Sequence, residues 1–463
     1  MSIAASSLDR VPPAPTPNEA PLGFFAGLRA LRRNPITTWT RAHYELPVLY
    51  GRSLLGQTAV VNDPAAVRRV FLDNVANYRK DDLQLRILAP GLGRGLLTAE
   101  GETWRAQRRA LAPLFTPRMV AGFAPAMRDA ADALVARWER KRDGQCFDVA
   151  PEMGRVTLNV LERTIFSDGL GGDPEAVMEA VTRYFDTIGR IDPLDVFGFP
   201  DWIPRISRLR ARPALAFFDA SVDRLIAQRR AQLAERAGSA PQDLLTHLLN
   251  ARDPETGCGL PEAEVRANIV TFIGAGHETT ANTLTWTLFL LAMAPDWRAR
   301  VEAEVDAAAQ GDWLAAGAID RLVVTRAVIE EALRLYPPAA TLMRAAIASD
   351  ELAGQRIRAG DIVVVSPWLL HRHKRLWTRP DAFDPTRFLP GAREGIDRYA
   401  YLPFGAGPRV CIGMGFALQE AIIVLATMAR RFRLDMQAGV VVEPVQRVTL
   451  RPKDGLPMIL RRR

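Results

Sequence analysis

The sequence predicts a mainly α-helical fold with small β-sheets. Three observations carry this. An apolar helical pattern runs from Val265 to Ala294 and stops at Pro295. Helix-like spacing also fills Glu102 to Arg142, apart from a break at Pro113–Pro117, and Phe416 to Phe432. Strand-like alternation is confined to short pieces within Leu46–Asn62, Ile357–Ser366 and Val440–Arg463.

Taken in order, residues 1–21 are small, polar and rich in proline (Pro12, Pro13, Pro15, Pro17, Pro21), the composition of a disordered leader. The apolar patch Pro21–Leu28 is followed by Arg29, Arg32 and Arg33, and is too short to span a bilayer. Two strands, Leu46–Tyr50 and Gln57–Asn62, are expected around a turn at Gly51–Gly56. Asp63-Pro64 opens a helix, with a capping side chain followed by proline at the first helical position. Residues Asp81–Gly101, with Pro90, Gly91, Gly93 and Gly95, are expected to be irregular. Pro193, Pro200, Pro204 and Pro213 rule out one continuous helix over Ile191–Pro213. The Val265–Ala294 helix carries His277, Glu278 and Asn282 in its middle, so it reads as a buried central helix with a functional polar patch, not as a membrane span. Ile357–Ser366 is expected to form a strand pair around Gly360. Val440–Arg463 is expected to close as a hairpin at Asp454-Gly455.

The 463 residues would by size alone suggest two or three domains. Apolar content of 48% and charged content of 24% are ordinary for a globular protein with a core large enough to enclose a cofactor. The net charge is +8 and the pI about 9.8. The arginines are scattered along helices, which argues against nucleic-acid binding and fits solvated faces or a docking surface for an acidic electron donor. Cys146, Cys258 and Cys411 are widely spaced and odd in number, against a disulfide framework and for a reducing compartment. His371 and His373 flank Arg372 in a polar stretch and are expected at the surface.

The richest stretch is Phe404-Gly405-Ala406-Gly407-Pro408-Arg409-Val410-Cys411-Ile412-Gly413. It places a cysteine after a glycine-rich turn and just before a helix. Unpaired N–H groups and the helix dipole there favour thiolate, the metal-binding form. The spacing Phe-x-x-Gly-x-Arg-x-Cys-x-Gly resembles the haem-binding loop of the cytochrome P450 superfamily. That resemblance implies one large, mainly helical haem domain, here 41–463, behind a partly disordered leader, 1–40. It implies haem b (iron protoporphyrin IX) with Cys411 as the iron ligand, Phe404 shielding the sulfur and Gly407 permitting the turn.

Further motifs follow the family's order. Ala275-Gly276-His277-Glu278-Thr279-Thr280 resembles its acid–alcohol pair. Ala275 and Thr279 share a helix face, and the threonine hydroxyl can bond the carbonyl four residues earlier and notch the helix. The resemblance implies that Thr279 orients water and oxygen and that Glu278 feeds protons, with Gly276 adding room. Glu331-Ala332-Leu333-Arg334, with Arg387 in Phe383-Asp384-Pro385-Thr386-Arg387-Phe388, is similar to the structural Glu–Arg–Arg triad. Trp104 and Arg108 match Trp-x-x-x-Arg, and with Arg344 and Arg409 are implied to hold the haem propionates. Arg105 and Arg109, on a neighbouring face, are candidates for docking the reductant.

The implied activity is that of a haem-thiolate monooxygenase inserting one atom of O2 into a small hydrophobic substrate. No flavin or iron–sulfur segment follows Arg463, so electrons are expected from a separate ferredoxin or flavodoxin with its reductase. Microsomal members carry a long apolar anchor; without one, a bacterial-type, cytoplasmic, monomeric enzyme is expected, with weak peripheral membrane contact left open. Two alternatives stay in view: peroxide-driven hydroxylation or isomerisation, and a non-catalytic haem sensor or carrier. Substrate contacts are expected from Leu83–Leu97, a lid near Phe185–Ile203, Phe272 and Ala339–Leu342.

Overall fold

Glu262 to Met293 forms a single 32-residue helix, about 48 Å long. Glu262 and Glu264 sit in its first turn, where the dipole favours acids. It stops at Ala294 because Pro295 disfavours helical geometry in the residue before it. Apolar side chains surround most of it, so it is buried on nearly all sides and forms the axis of the fold.

The computed structural model describes residues 10–167, 179–184, 187, 192–196, 198–199, 202–203, 206–235, 241–308 and 319–463. Its α-helices include α1 (Phe24–Arg33), α2 (Pro64–Arg68), α3 (Asp82–Leu92), α4 (Gly101–Leu111), α5 (Pro117–Gly122), α6 (Ala124–Glu139), α7 (Ala150–Leu161), α8 (Ile206–Glu235), α9 (Leu244–Leu249), α10 (Glu262–Met293), α11 (Pro295–Ala308), α12 (Val323–Leu335) and α13 (Met414–Ala429). The strands are β1 (Val48–Ser53), β2 (Gly56–Val61), β3 (Tyr78–Lys80), β4 (Cys146–Asp148), β5 (Leu342–Ala346), β6 (Asp350–Leu352), β7 (Gln355–Ile357), β8 (Ile362–Val365), β9 (Phe432–Met436), β10 (Pro444–Gln446), β11 (Leu450–Pro452) and β12 (Pro457–Arg462). The main sheet has the order β1-β2-β8-β5-β3, antiparallel except for the β2–β8 pair. The fold is mainly helical with small sheets, as expected.

The main core lies around α10, with α7, α12 and α13 packed on it and α6 packed in turn on α7 and α13. Within it the Trp286 and Tyr336 rings stack at 3.8 Å. A second apolar cluster, including Val61, Phe71 and Val363, lies under the main sheet.

Several expectations are corrected. Asp81–Gly101 is not wholly irregular. The Asp81 carboxylate accepts the Leu83 and Gln84 N–H groups at 2.9 and 3.4 Å and starts α3, which tolerates Pro90 in its last turn and ends at Gly93, φ +62°. The expected interruption of Ile191–Pro213 is present among the described residues, which are not helical at 198–199 and 202–203, but Pro213 itself lies inside α8, a 30-residue helix long enough to survive one missing donor. Residues 191, 197, 200, 201, 204 and 205 of the expected Ile191–Pro213 break lie outside the described residues. Gly360 does turn, at φ +86°, but its flanking strands part: β7 pairs with β6, whereas β8 lies between β2 and β5. The terminal hairpin is β10–β11. β12 leaves it at the Asp454-Gly455 corner to pair with β4 and β9.

Described residues on the two sides of residue 40 are tied together by hydrogen bonds. Asn18 N–H donates to the Trp39 carbonyl at 3.0 Å and Arg41 N–H to the Asn18 carbonyl at 2.9 Å. The Pro13 carbonyl accepts the Tyr336 hydroxyl at 2.8 Å, and the Arg10 carbonyl accepts Phe383 N–H at 3.1 Å. A proline-rich strand cannot donate along its length, but its carbonyls still accept, so it packs without secondary structure.

Candidate haem site

The loop from Phe404 to Gly413 is built by one backbone bond and one glycine. Cys411 N–H donates to the Phe404 carbonyl at 2.9 Å, closing the loop ahead of α13. Gly407 has φ +68°, and a Cβ there would meet the Phe71 carbonyl oxygen at 1.8 Å. Gly405 has φ +72° but open space around it. We therefore expect Gly405→Ala to cost about 1–2 kcal/mol, the usual left-handed penalty, and Gly407→Ala clearly more. Thermal unfolding and haem content per chain check this, and equal losses at the two positions contradict it.

Cys411 is exposed at the end of the loop, and the protein packed around its thiol still desolvates it. Burial raises the thiol pKa, and this outweighs the lowering by the Gly413 N–H and by Arg108. The Gly413 N–H at the helix start thus favours thiolate, in the expected direction, while burial opposes it. A bound metal cation would decide for thiolate, because coordination deprotonates a thiol outright.

Around this loop the structure gathers cations. Arg108, on α4, donates from Nη1 to the Val410 carbonyl at 3.0 Å, and burial lowers its pKa. Arg409 donates to the Ala99 carbonyl at 3.1 Å, pairs with Glu100 at 3.0 Å and lies 4.1 Å from the Trp104 ring centre. Arg344, on β5, is buried. Desolvation and the nearby Arg409 push its pKa down to about 10. Lys80, which sequence reasoning missed, stands directly opposite Arg344 in the β3–β5 ladder. Desolvation, Arg409 and Arg344 lower it to about 7 against the pull of Glu100. Its ammonium donates to the Leu97 and Ala99 carbonyls at 2.5 and 3.2 Å. Like charges facing each other across a ladder are unfavourable. Glu100, the carboxylate that Arg409, Lys80 and Arg344 share, cannot neutralise all three. The two propionates of haem fit this donor set.

On the other side lies α10. Ala275 is exposed although Ile273 and His277 on the adjoining turns are buried, so the helix opens inward there. The Thr279 hydroxyl donates to the Ala275 carbonyl at 2.5 Å, forming the expected notch. Phe115 links the two sides. It meets Phe272 of α10 edge-on at 5.5 Å and lies 4.0 Å from where a Cβ on Gly413 would stand. Gly276 plays a different part from the one expected. Its absent side chain lets Leu161 of α7 approach, since a Cβ would come within 2.9 Å of it.

Glu278 points toward the β10–β11 hairpin. Its Oε1 accepts the Thr449 hydroxyl at 2.6 Å and lies 3.8 Å from Arg451, and Asn282 Nδ2 donates to the same Thr449 oxygen at 2.9 Å. Thr449 was invisible to motif reading because nothing in its local sequence marks it. His277 is buried against α7, where desolvation lowers its pKa to about 4.

The triad residues assemble away from this cleft. Glu331 and Arg334 are fully buried and paired through two hydrogen bonds, at 2.6 and 2.8 Å. Arg334 also donates to the carbonyls of His371, Pro380 and Ala382. Arg387 is the looser member, 3.6 Å from Glu331. His371 and His373 are buried, not at the surface. His371 Nε2 accepts Leu402 N–H at 2.8 Å, so its Nδ1 carries the proton and donates to the Arg334 carbonyl at 3.1 Å. His373 Nε2 bonds the Leu46 carbonyl at 3.2 Å, and Arg372 between them stacks on Trp368 at 3.6 Å.

Arg109 is not available for docking. It pairs with Asp253 at 2.8 Å, Glu102 at 3.0 Å and Glu255 at 3.2 Å; Arg105 stays exposed beside Glu102. Of the expected substrate contacts, Leu97 is exposed, Phe272 is buried against Phe115, and Gly95 lies tight on Ala267 and Thr271 of α10. In the lid near Phe185–Ile203, residues 185, 186, 188–191, 197, 200 and 201 lie outside the described residues.

The cytochrome P450 family model matches residues 30–457. Cyclooctat-9-en-7-ol 5-monooxygenase of Streptomyces melanosporofaciens is 36% identical over 349 residues, 74% of this chain and 73% of the relative. Pentalenene oxygenase of Streptomyces avermitilis is 34% identical, over 77% of this chain and 78% of the relative. The crystal structure of the cytochrome P450DA heme domain superposes with a TM-score of 0.82 at 28% identity, covering 98% of each chain. The chain belongs to the cytochrome P450 family and is a haem-containing P450 monooxygenase.

Proposed function

We propose that this P450 oxidises an apolar, oxygen-poor cyclic molecule of terpenoid type. It works as a monomer in a bacterial cytoplasm, with electrons from a separate ferredoxin or flavodoxin and its reductase. The observation that carries the chemistry is the exposed Cys411 thiol beside Arg108, at the end of a loop where Arg409, Lys80 and Arg344 share the carboxylate of Glu100. Bound there, haem supplies the activation of dioxygen that leaves one oxygen atom in the substrate and the other in water.

The residues divide the work. Cys411 offers the sulfur ligand, under the cover of Phe404. Arg108, Arg344, Arg409 and Trp104, with Lys80, hold the propionates and thereby set the orientation of the ring. Thr279, its proton engaged by the Ala275 carbonyl, keeps its oxygen lone pairs for a water in the notch. Glu278 is anchored at the outer hairpin by Thr449 and lies one residue from Thr279, which suits it to pass protons inward. Glu331, Arg334 and Arg387 brace the segment that leads through His371 and Leu402 to the cysteine loop.

The substrate class is supported by the relatives, named for an unsaturated hydrocarbon and an unsaturated alcohol, and by the apolar side chains of α3 and Phe272. The test is turnover of a cyclic terpene panel with a surrogate ferredoxin and reductase, run beside peroxide alone. Thr279→Ala is expected to lower product per electron pair about tenfold, about 1.4 kcal/mol, while electron consumption continues. Peroxide turnover matching the ferredoxin system in the parent enzyme would move the assignment to a peroxygenase. Haem-loaded protein that oxidises nothing on the panel would reject the substrate class.

A further inference from the structure

We propose that the outer face of α1 docks on the surface of an anionic phospholipid membrane. The helix reads Phe-Phe-Ala-Gly-Leu-Arg-Ala-Leu-Arg-Arg and has no acidic residue. Its Phe25 and Phe24 side chains are 83% and 52% exposed, with Leu22 just before them at 36%. The two rings meet edge-on at 5.3 Å, and Phe25 is the more exposed of the pair.

Arg29, Arg32 and Arg33 are exposed on the same helix. At 100° per residue, Phe24, Phe25, Arg29, Arg32 and Arg33 fall within one half of its circumference, and Gly27 falls on the other. None of these three arginines pairs with a carboxylate among the described residues. Arg447 holds the helix end, donating to the Arg32 and Arg33 carbonyls at 3.1 and 2.9 Å.

This face is also fixed in place. Gly27 lets Leu54 approach to 3.2 Å from where a Cβ would lie. Asn34, at the helix end, donates to the Pro444 carbonyl at 2.9 Å and accepts Gln446 N–H at 3.0 Å. The exposed rings therefore belong to an element anchored to the body at both its middle and its end.

Charge and shape choose the occupant. Two projecting rings among guanidiniums fit an interface where aromatic groups enter the acyl boundary and arginines reach phosphates. A stable protein interface needs roughly 800 Å² on each partner around an apolar centre, and a narrow tip on a convex helix offers much less. The positive row selects anionic over neutral headgroups. The binding is peripheral: among the described residues no helix is long and apolar enough to cross a membrane.

The experiment is co-sedimentation of the haem-loaded full chain with phosphatidylcholine vesicles, with and without phosphatidylserine. Binding is expected only with phosphatidylserine, and is expected to weaken when ionic strength rises from about 0.1 to about 1 M. Phe24→Ser/Phe25→Ser should lower the partition coefficient at least about tenfold. Arg29→Gln/Arg32→Gln/Arg33→Gln should lower it about 100-fold. Both variants should keep the parent haem spectrum, since no α1 side chain is placed beside Cys411 or the cations around Glu100. Three results overturn the proposal: no sedimentation with anionic vesicles, equal binding to neutral ones, or charge-dependent binding indifferent to the phenylalanine pair. The last would assign the effect to the overall charge of +8.

Discussion

Cys411→Ser is expected to abolish monooxygenase turnover while leaving the fold intact. Serine matches cysteine in size, and the Cys411 N–H bond to the Phe404 carbonyl uses only backbone. What disappears is the polarisable sulfur whose electron donation favours O–O cleavage in thiolate-ligated haem. Turnover should fall at least about 100-fold, about 3 kcal/mol on the barrier. The ferrous carbonyl spectrum should move from the thiolate type toward the histidine-ligated globin type. Haem can still be retained in this variant, because the Lys80, Arg108, Arg344 and Arg409 cations do not depend on the sulfur. A variant with unchanged carbonyl spectrum and unchanged turnover would show that some other group ligates the iron. Gly407→Ala provides the complementary result: it should reduce loading without altering the spectrum of whatever haem remains.

What the sequence shows of this site follows from the range of each interaction. The cysteine loop and the Thr279–Ala275 notch are local, so their residue spacing alone points to them. Lys80 is not local. It becomes a cofactor candidate only through the register that sets it against Arg344, 264 positions away. Thr449 is hidden for the same reason: its bond to Glu278 spans 171 positions. Alternation correctly marks β10, β11 and β12 as strands, but period-two patterning says which face is buried, not which strand lies alongside. That is why the final hairpin closes earlier than expected and β12 joins β4 and β9. His371 and His373 mislead because a polar neighbourhood in sequence usually means solvent. Here the neighbourhood in space is Arg334, Leu402 and Leu46, whose backbone groups bond both ring nitrogens of His371 and Nε2 of His373. Pro90 and Pro213 mislead because a proline weakens a helix without forbidding it where the loss is one bond among many.

Glu331→Ala is expected to yield little or no haem-loaded protein, although Glu331 lies outside the cleft. The mutation leaves Arg334 fully buried without its anion. Breaking a buried pair from one side typically costs ~3–5 kcal/mol, a large share of the ~5–15 kcal/mol that holds a domain folded. The damage has a direction. Glu331 Oε1 also accepts Asp384 N–H at 2.8 Å, and Arg334 holds the carbonyls of His371, Pro380 and Ala382. His371 in turn receives the N–H of Leu402, two residues before Phe404. Loosening the pair should therefore release the approach to the cysteine loop before it releases the distant α1 or β12. Haem per chain, thermal unfolding and hydrogen exchange at 399–411 are the measurements. Glu331→Gln keeps the shape and the acceptor for Asp384 but not the charge, and should fall between parent and alanine. The double change Glu331→Leu/Arg334→Met removes the stranded charge, so it should recover global stability relative to Glu331→Ala. It should not recover haem loading, because the carbonyls that Arg334 gathers would still be loose. Normal haem content in Glu331→Ala would end the bracing role. Recovery of loading in the double variant would mean that charge burial alone, and not the positioning of the loop, explains the defect.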